Sequence, residues 1–223
     1  MSVITRIILI RHGQSEGNAE NRFGGHLPVG LSPLGQLEAE ATAKALADEE
    51  ISAIYSSDLA RAFETALPLA RLKGLTVNKT PAFRERNVGV LQGLTFEDAS
   101  KRFSKEYEAL LKRDFDYVIT EGESYKQVLE RASNELNAIL EKHKGERVCI
   151  FTHTGTICVL TLHLLGALDG PVLKPVWIST ANCGITRFTL RDDGFVILKS
   201  LNNTRHLAGL NLGEPSYGFG YKS

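Results

Sequence analysis

The chain has 223 residues, 43% of them apolar and 23% charged, a composition typical of a globular protein with one substantial core and not of a disordered or membrane-spanning chain. Its 26 lysines and arginines balance 26 aspartates and glutamates, so net charge offers no general attraction to nucleic acid or an anionic membrane. Any anion chemistry must therefore come from a few cations gathered in one place.

The sequence also bears on the compartment. The apolar run Ile7–Ile10 is too short for the core of a signal peptide, and no apolar stretch approaches the length of a membrane span. Cys149, Cys158 and Cys183 form no C-x-x-C pair, which favours buried thiols in a reducing compartment over a disulfide scaffold. We expect a cytoplasmic protein that binds neither nucleic acid nor membranes, and a homodimer is left open.

The first third of the chain alternates between patterns typical of strands and of helices. Continuous β-branched or apolar runs predict strands buried on both faces, and apolar residues at helical spacing predict helices. The predicted segments are a strand over Ile4–Ile10, a loop over Gly13–Pro33, a helix with Ser32 as its N-cap, a strand over Ile51–Ser57, and a helix from Asp58 as its N-cap to about Leu72, stopped by Gly74.

The second half continues the alternation. Glu123–Lys144 predicts a long amphipathic helix ended by Gly145, Arg147–His153 predicts a third buried strand, and Thr156–Leu165 predicts a helix. Two β-type runs flanking "RDDG" predict a hairpin. Alternating strands and helices without a linker or repeat predict one domain over residues 1–223, a three-layer α/β/α sandwich with a mostly parallel central sheet and helices on both faces.

One segment, Arg86–Gly122, interrupts the alternation with a mixture of aromatic and cationic residues. It fits either a surface helix whose aromatic residues pack on the core or a small cap inserted over the carboxyl edge of the sheet. The second interpretation has functional weight because ligand sites in open α/β sheets lie at that edge.

Two motifs suggest chemistries that their context disfavours. "GQSEG" (Gly13–Gly17) matches the Gly-x-Ser-x-Gly pattern of serine hydrolases, but glycines and prolines follow Ser15 where a helix should begin, and no earlier strand supplies a second oxyanion donor. Ser15 is then a loop residue that bonds a ligand or the backbone. "DFDYVI" resembles an aspartate-nucleophile motif through Asp114 and Asp116, but it follows a polar helical stretch and no buried strand.

A third chemistry unites three strand ends. His12 beside Arg11 follows the first strand, Arg61 follows the second, and His153 ends the third. Parallel strands bring their carboxyl ends to one edge, so we expect these side chains to meet there. Paired guanidiniums suit the oxygens of a phosphoryl group, and their charge keeps His12 neutral and nucleophilic. Such a site needs no metal ion or other cofactor, and the sequence shows no metal-binding or P-loop pattern.

Five ordered motifs carry a family resemblance: "LIRHGQSEGN", "YSSDLARAFETA", "FRERNVGVLQG", "EGES" and "FTHTG". In the order and content of these motifs, the chain resembles the histidine phosphatase superfamily, also called the phosphoglycerate mutase-like group. The resemblance implies that His12 is phosphorylated during turnover and that Arg11, Arg61, His153 and Asn18 bind the phosphoryl group. It also implies that Glu85 is the general acid and base, against the alternative of a surface ion pair with Arg84 or Arg86. Ser15 and Thr154 are further candidates for contact with the substrate.

The resemblance is compatible with two reactions, that of a phosphatase and that of a mutase. Gly17 and Thr154 differ from the residues common in the family at these positions. Both differences would alter the wall around the substrate, so the resemblance does not identify the substrate. A mutase must exclude water from the phosphohistidine, and the short segment between Glu85 and His153 favours hydrolysis of a small polar phosphorylated metabolite. A binding protein without turnover would be expected to have lost His12, Arg61 or His153. This chain retains all three, which favours an enzyme. "NNTRHL" faintly resembles the tail of metal-independent phosphoserine phosphatases, which would place Arg205 or His206 near a substrate carboxylate.

Overall fold

A six-stranded mixed sheet forms the centre of the computed structural model, which describes residues 3–168 and 176–210. The strands are β1 (Ile4–Arg11), β2 (Ala53–Ser57), β3 (Val77–Thr80), β4 (Arg147–Thr152), β5 (Ile185–Arg191) and β6 (Val196–Asn203). Their order is β3-β2-β4-β1-β5-β6. The first four run parallel, whereas β5 is antiparallel to β1 and β6 to β5. The predicted mostly parallel sheet is confirmed.

Helices cover both faces of the sheet because the strands are apolar on both. They are α1 (Glu16–Ala19), α2 (Pro33–Ala45), α3 (Ala60–Lys73), α4 (Phe96–Arg102), α5 (Ser104–Lys112), α6 (Tyr125–Lys142) and α7 (Thr154–Leu164). Along β1, Ile7 and Leu9 pack in one core cluster with side chains of α6 and α7, and Ile8 and Ile10 pack in another with α2 and α3. Each buried side chain of this size contributes about 1.5–3 kcal/mol. Within the described ranges no helix is long and apolar enough to cross a bilayer.

The helix boundaries follow the capping signals, with one exception. Ser32 accepts from the Gly35 amide and Pro33 opens α2, while Gly74 ends α3 at φ 64°. The prediction that Asp58 caps α3 is wrong, since Leu59 occupies the N-cap. The Asp58 carboxylate instead accepts two hydrogen bonds from Arg84, at 2.7 and 2.6 Å. A bidentate guanidinium is a stronger partner than one backbone amide.

The segment after β3 builds a small core of its own beside the sheet. The short helices α4 and α5 enclose buried apolar residues that include Phe23, Leu91, Leu110 and Ile119. We call residues 86–122 the cap segment. Five of its residues line a cavity at the carboxyl edge of the parallel strands, so this segment forms part of that cavity's wall; they are Arg86, Val88, Phe96, Leu110 and Arg113.

Candidate active site

The parallel register brings three strand ends together, as the sequence predicts. Arg11 pairs with Thr152 across β1 and β4, and the strands β2 and β4 are neighbours. His12 and His153 therefore follow adjacent strand ends, and their ring centroids lie 5.1 Å apart. A cavity of about 120 Å³ opens at this edge, and Arg11, His12 and Arg61 line it.

The surroundings of His12 fix both its proton and its charge. Its Nδ1 lies 2.7 Å from the carbonyl oxygen of Gly13. Because a carbonyl can only accept, Nδ1 carries the ring proton and Nε2 keeps its lone pair. Burial, then Arg61 and Arg11, hold the pKa of His12 well below its ordinary 6.5. His12 is therefore a neutral imidazole with a nucleophilic Nε2 at neutral pH.

The glycine after His12 serves packing. A Cβ on Gly13 would stand 2.7 Å from the carbonyl oxygen of Gly35 in α2, and a contact that short with backbone cannot be relieved by a side-chain movement. The amide of Gly13 donates to the hydroxyl of Thr65 at 3.0 Å. The absence of a side chain at Gly13 thus lets the loop after β1 lie directly on α2.

Two buried guanidiniums flank His12. Arg11 donates to the carbonyl oxygen of Thr180 at 2.5 Å, and Arg61 donates to those of Gly25 at 2.8 Å and Leu27 at 3.3 Å. Burial lowers the pKa of each arginine to about 10, while the charge of Glu85 opposes the shift. Both remain charged at neutral pH, and the carbonyl contacts hold their planar groups in fixed positions beside His12.

Asn18 and Ser15 form a hydrogen-bonded pair at the cavity wall. The side-chain oxygen of Asn18 accepts from the amide of Ser15 at 3.1 Å, from its hydroxyl at 3.0 Å, and from the side chain of Asn182 at 3.4 Å. With the oxygen so occupied, the NH₂ group of Asn18 is the part that can donate to a ligand. Both residues line the cavity.

Ser15 also corrects one premise of the sequence argument. A helix does begin directly after it, because Ser15 is the N-cap of the single-turn helix α1 and accepts from the amide of Asn18. Its hydroxyl donates to Asn18 and not to a histidine. The nucleophile elbow of a serine hydrolase therefore lacks its base here.

Glu85 lies in the cavity wall between two backbone amides. Its carboxylate accepts from the amides of Arg86 at 2.8 Å and Gly155 at 3.0 Å. A Cβ on Gly155 would stand 2.3 Å from this carboxylate, so the approach requires glycine. A surface ion pair of Glu85 with Arg84 or Arg86 is not seen: the guanidinium of Arg84 binds Asp58, and that of Arg86 binds backbone carbonyls.

His153 is the predicted residue that does not reach the cavity. It is completely buried, and its Nε2 lies 2.9 Å from the hydroxyl of Ser57 at the end of β2. Burial and then Arg61 hold its pKa well below the ordinary value. Thr154, the next residue, does line the cavity, and the hydroxyl of Thr180 donates to its hydroxyl at 3.1 Å.

The outer wall of the cavity was missed by sequence reasoning. It contains the aromatic residues Phe23, Phe96, Tyr125 and Trp177 and the cations Arg22, Arg86 and Arg113. The guanidiniums of Arg86 and Arg113 each lie 4.4 Å from a ring centroid, that of Tyr125 and Trp177 respectively. These residues come from four separated segments, and the only available signal was the density of cations and aromatic residues between residues 86 and 122.

Residues of the weaker sequence hypotheses lie away from the cavity, as the argument against an aspartate nucleophile expects for Asp114 and Asp116. Asp114 and Asp116 lie in an exposed turn after α5, where the carboxylate of Asp114 accepts from the amides of Asp116 and Tyr117. His206 lies against α2, its Nε2 3.1 Å from the hydroxyl of Thr42, and neither Arg205 nor His206 lines the cavity. Gly17 lies in α1 and does not line it either. Among the described residues, no group of three or more histidine, cysteine or acidic side chains could hold a metal ion.

Comparison with known proteins agrees with this geometry. The family model of the histidine phosphatase superfamily, branch 1, matches residues 7–204. A metal-independent phosphoserine phosphatase of Arabidopsis thaliana is 34% identical over 94% of this chain and 86% of its own length. Phosphoglycerate mutase-like protein 4 of the same plant is 42% identical over 68% of this chain and 67% of its own. The solved structure of a mycobacterial glucosyl-3-phosphoglycerate phosphatase superposes with a TM-score of 0.79 at 26% identity, covering 90% of this chain and 100% of that one. This chain is therefore a phosphatase and belongs to branch 1 of the histidine phosphatase superfamily.

Proposed function

We propose that the protein hydrolyses a small phosphomonoester through a phosphohistidine formed on His12, with no metal ion. The observation that carries the proposal is the state of His12: a buried, neutral ring with Nδ1 bonded to the Gly13 carbonyl, beside two guanidiniums. A phosphoryl group bound to Arg11, Arg61 and Asn18 would present its phosphorus to Nε2. The same cations stabilise the charge on its oxygens in the transition state.

Glu85 handles the protons in both half-reactions. When Nε2 attacks phosphorus, the bond to the leaving oxygen breaks, and protonated Glu85 gives its proton to that oxygen. The resulting carboxylate then takes a proton from a water molecule, which attacks the phosphohistidine and breaks the P–N bond. Inorganic phosphate leaves and Glu85 is protonated again. Two backbone amides hold the carboxylate at the cavity wall for both steps. His153, bonded to Ser57, supports the ring of His12, whose centroid lies 5.1 Å from its own.

The outer wall favours a substrate with a second anionic group. Arg113 and Arg22 line the cavity, and Arg113 is held by the ring of Trp177. A guanidinium can bind a carboxylate through two parallel hydrogen bonds. The relative from Arabidopsis thaliana is named for phosphoserine, which carries such a group. We therefore propose a small carboxylate-bearing phosphoester as the substrate class, and the balanced charge of the chain favours it over nucleic acid.

A trapping experiment tests the central claim. Brief incubation with p-nitrophenyl phosphate, followed by mass spectrometry under acid-free conditions, should find one added phosphoryl group on the peptide that contains His12. Thr65→Ala is a control near the site that keeps the nucleophile. Retention of full activity by His12→Ala would contradict the proposal.

The substrate class is tested with a matched pair of compounds. Phosphoethanolamine lacks only the carboxylate of O-phospho-L-serine. We expect kcat/KM to favour phosphoserine, and Arg113→Met to reduce that preference by roughly tenfold or more, the value of one charge-assisted hydrogen bond. Equal loss on both compounds would remove Arg113 from substrate recognition.

All three cysteines are free and buried, which supports the cytoplasm, a reducing compartment, as the location of the protein.

A further inference from the structure

The carbonyl groups around Glu85 converge on one side chain of the long helix α6. Arg131 donates from Nη1 to the carbonyl oxygens of Ala82 at 2.6 Å and Arg84 at 2.8 Å. It donates from Nη2 to the carbonyl oxygen of Glu85 itself at 2.9 Å. One guanidinium thus contacts three of the four carbonyls from Ala82 to Glu85.

The opposite side of the same guanidinium is held by the "EGES" motif, to which no role has been given so far. Arg131 donates to both carboxylate oxygens of Glu123, at 3.2 and 3.1 Å. Glu123 also accepts from the amide of Asn87 at 2.8 Å. The carboxylate therefore fixes the orientation of Arg131 and, independently, the chain two residues after Glu85.

A third group reaches the Glu85 backbone from the loop after β1. The Nε2 of His26 lies 2.7 Å from the carbonyl oxygen of Glu85, which accepts from Arg131 as well. His26 and Glu123 are themselves 3.8 Å apart. The backbone of Glu85 is thus held from α6 and from the first loop at once.

Such support is needed because nothing regular holds this part of the chain. Glu85 lies between the short 3₁₀ turns Pro81–Phe83 and Gly89–Leu91, in a stretch that belongs to no helix or strand. A general acid must stay within hydrogen-bond reach of the leaving oxygen, and a displacement of about 1 Å can reduce the rate by roughly 100-fold. A forked guanidinium can bind several carbonyls and a carboxylate together, which a lysine cannot.

We propose that Arg131, oriented by Glu123, is a positioning residue that keeps Glu85 in place for proton transfer. The inference rests on the general-acid role proposed for Glu85. It assigns the pair a function in the reaction beyond stabilising the fold, and it predicts that losing Arg131 impairs the steps that need a proton from Glu85 more than the others.

The test compares leaving groups of similar size that differ in their need for a proton. p-Nitrophenolate departs unprotonated, whereas 4-methoxyphenolate is more basic and depends on the acid. kcat/KM reports only the steps up to leaving-group departure, so the later role of Glu85 with water does not enter. In Arg131→Met the ratio of kcat/KM for p-nitrophenyl over 4-methoxyphenyl phosphate should rise by roughly tenfold or more, part of the range that general acid catalysis spans. Glu85→Gln should raise it at least as far.

Arg147→Met is the matched control. Arg147 also binds a glutamate, Glu49, at 2.9 Å, and its side chain is 22% exposed, as is that of Arg131. It lies at the start of β4, the end away from the cavity, so the ratio should stay at the wild-type value. Should Arg131→Met not fold, Arg131→Lys, which keeps the charge without the fork, should raise the ratio in the same direction.

The outcomes separate the two proposals. If Glu85→Gln raises the ratio while the Arg131 variants slow both substrates equally, Arg131 stabilises the fold without positioning the acid, and the inference is overturned. If Glu85→Gln itself leaves the ratio unchanged, the general-acid role of Glu85 fails, and the positioning role fails with it.

Discussion

The buried neutral histidines of the site should make the protein sensitive to mild acid. Burial, with the charge of Arg61 and Arg11, keeps the pKa of His12 and of His153 well below 6.5 in the folded chain, whereas in the unfolded chain both return to about 6.5. Below that pH the unfolded state binds more protons, so folding stability is fully present above it and is lost as pH falls through it.

The size of the effect follows from linkage. At pH 5.5, about one unit below the unfolded pKa, each histidine that stays neutral in the folded state reduces the free energy of unfolding by about 1.4 kcal/mol. His12 and His153 together give roughly 3 kcal/mol, a large part of the 5–15 kcal/mol typical of a domain. The pKa of His206, lowered to about 4 mainly by burial, adds a change of the same sign.

Urea unfolding at pH 7.5 and pH 5.5, followed by the fluorescence of the single tryptophan, Trp177, measures this difference. The pH 5.5 limit stays above the range in which Asp58 and Glu123, whose pKa values are lowered, take up protons. The double variant His12→Asn, His153→Asn should lose roughly 3 kcal/mol less than the wild type between the two pH values. An equal loss in both proteins would refute the neutral-histidine argument.

Three further outcomes are expected. Arg61→Met should lower kcat/KM by roughly 10²–10⁴-fold, since two charge-assisted hydrogen bonds to the phosphoryl group are worth about 1.5–3 kcal/mol each; a fall below tenfold in a phosphate-release assay would place Arg61 outside the site. Activity should survive exhaustive EDTA treatment, because the guanidiniums supply the charge, and loss that Mg²⁺ restores would return attention to Asp114 and Asp116. With 3-phosphoglycerate and a trace of 2,3-bisphosphoglycerate, phosphate release should outpace formation of 2-phosphoglycerate. Isomerisation faster by roughly 100-fold, about 2.7 kcal/mol, would assign a mutase.

The parts of the fold that sequence reasoning found are those set by local patterns. The strands β1, β2 and β4 are mostly apolar and buried, and Ser32 and Gly74 mark helix ends by their own chemistry. The edge strand β3 was missed because its two central residues, Asn78 and Lys79, are both exposed and none of its four residues is fully buried. The pattern of apolar residues does not identify a strand at the edge of a sheet when much of that strand is exposed to solvent.

The errors at the site have a different origin, competition from distant residues. Aspartate is a residue type that often caps helices, but the carboxylate of Asp58 binds Arg84, which is remote in sequence, and does not bind the helix amides. Glu85 could be selected only through the family resemblance, since its two amide partners come from its neighbour and from α7. The contacts of Arg131 span almost 50 residues of chain. No rule of sequence spacing connects Arg131 with these positions, because they meet only when α6 packs against the segment that carries Glu85.

A chain with no net charge can bind a dianion because burial concentrates its cations at one edge. Arg11 and Arg61 are almost fully buried, yet the backbone carbonyls they contact and the charge of Glu85 compensate only part of their desolvation, since burial still lowers the pKa of both. In the proposed mechanism a phosphoryl group adds negative charge beside the two arginines, where the low dielectric makes each contact strong. Burial, and then the charges of Arg61 and Arg11, also hold the pKa of His12 well below its ordinary value. The proposed phosphoryl binding and the activation of His12 therefore both depend on these buried guanidiniums, and a substitution that neutralises either arginine should weaken both.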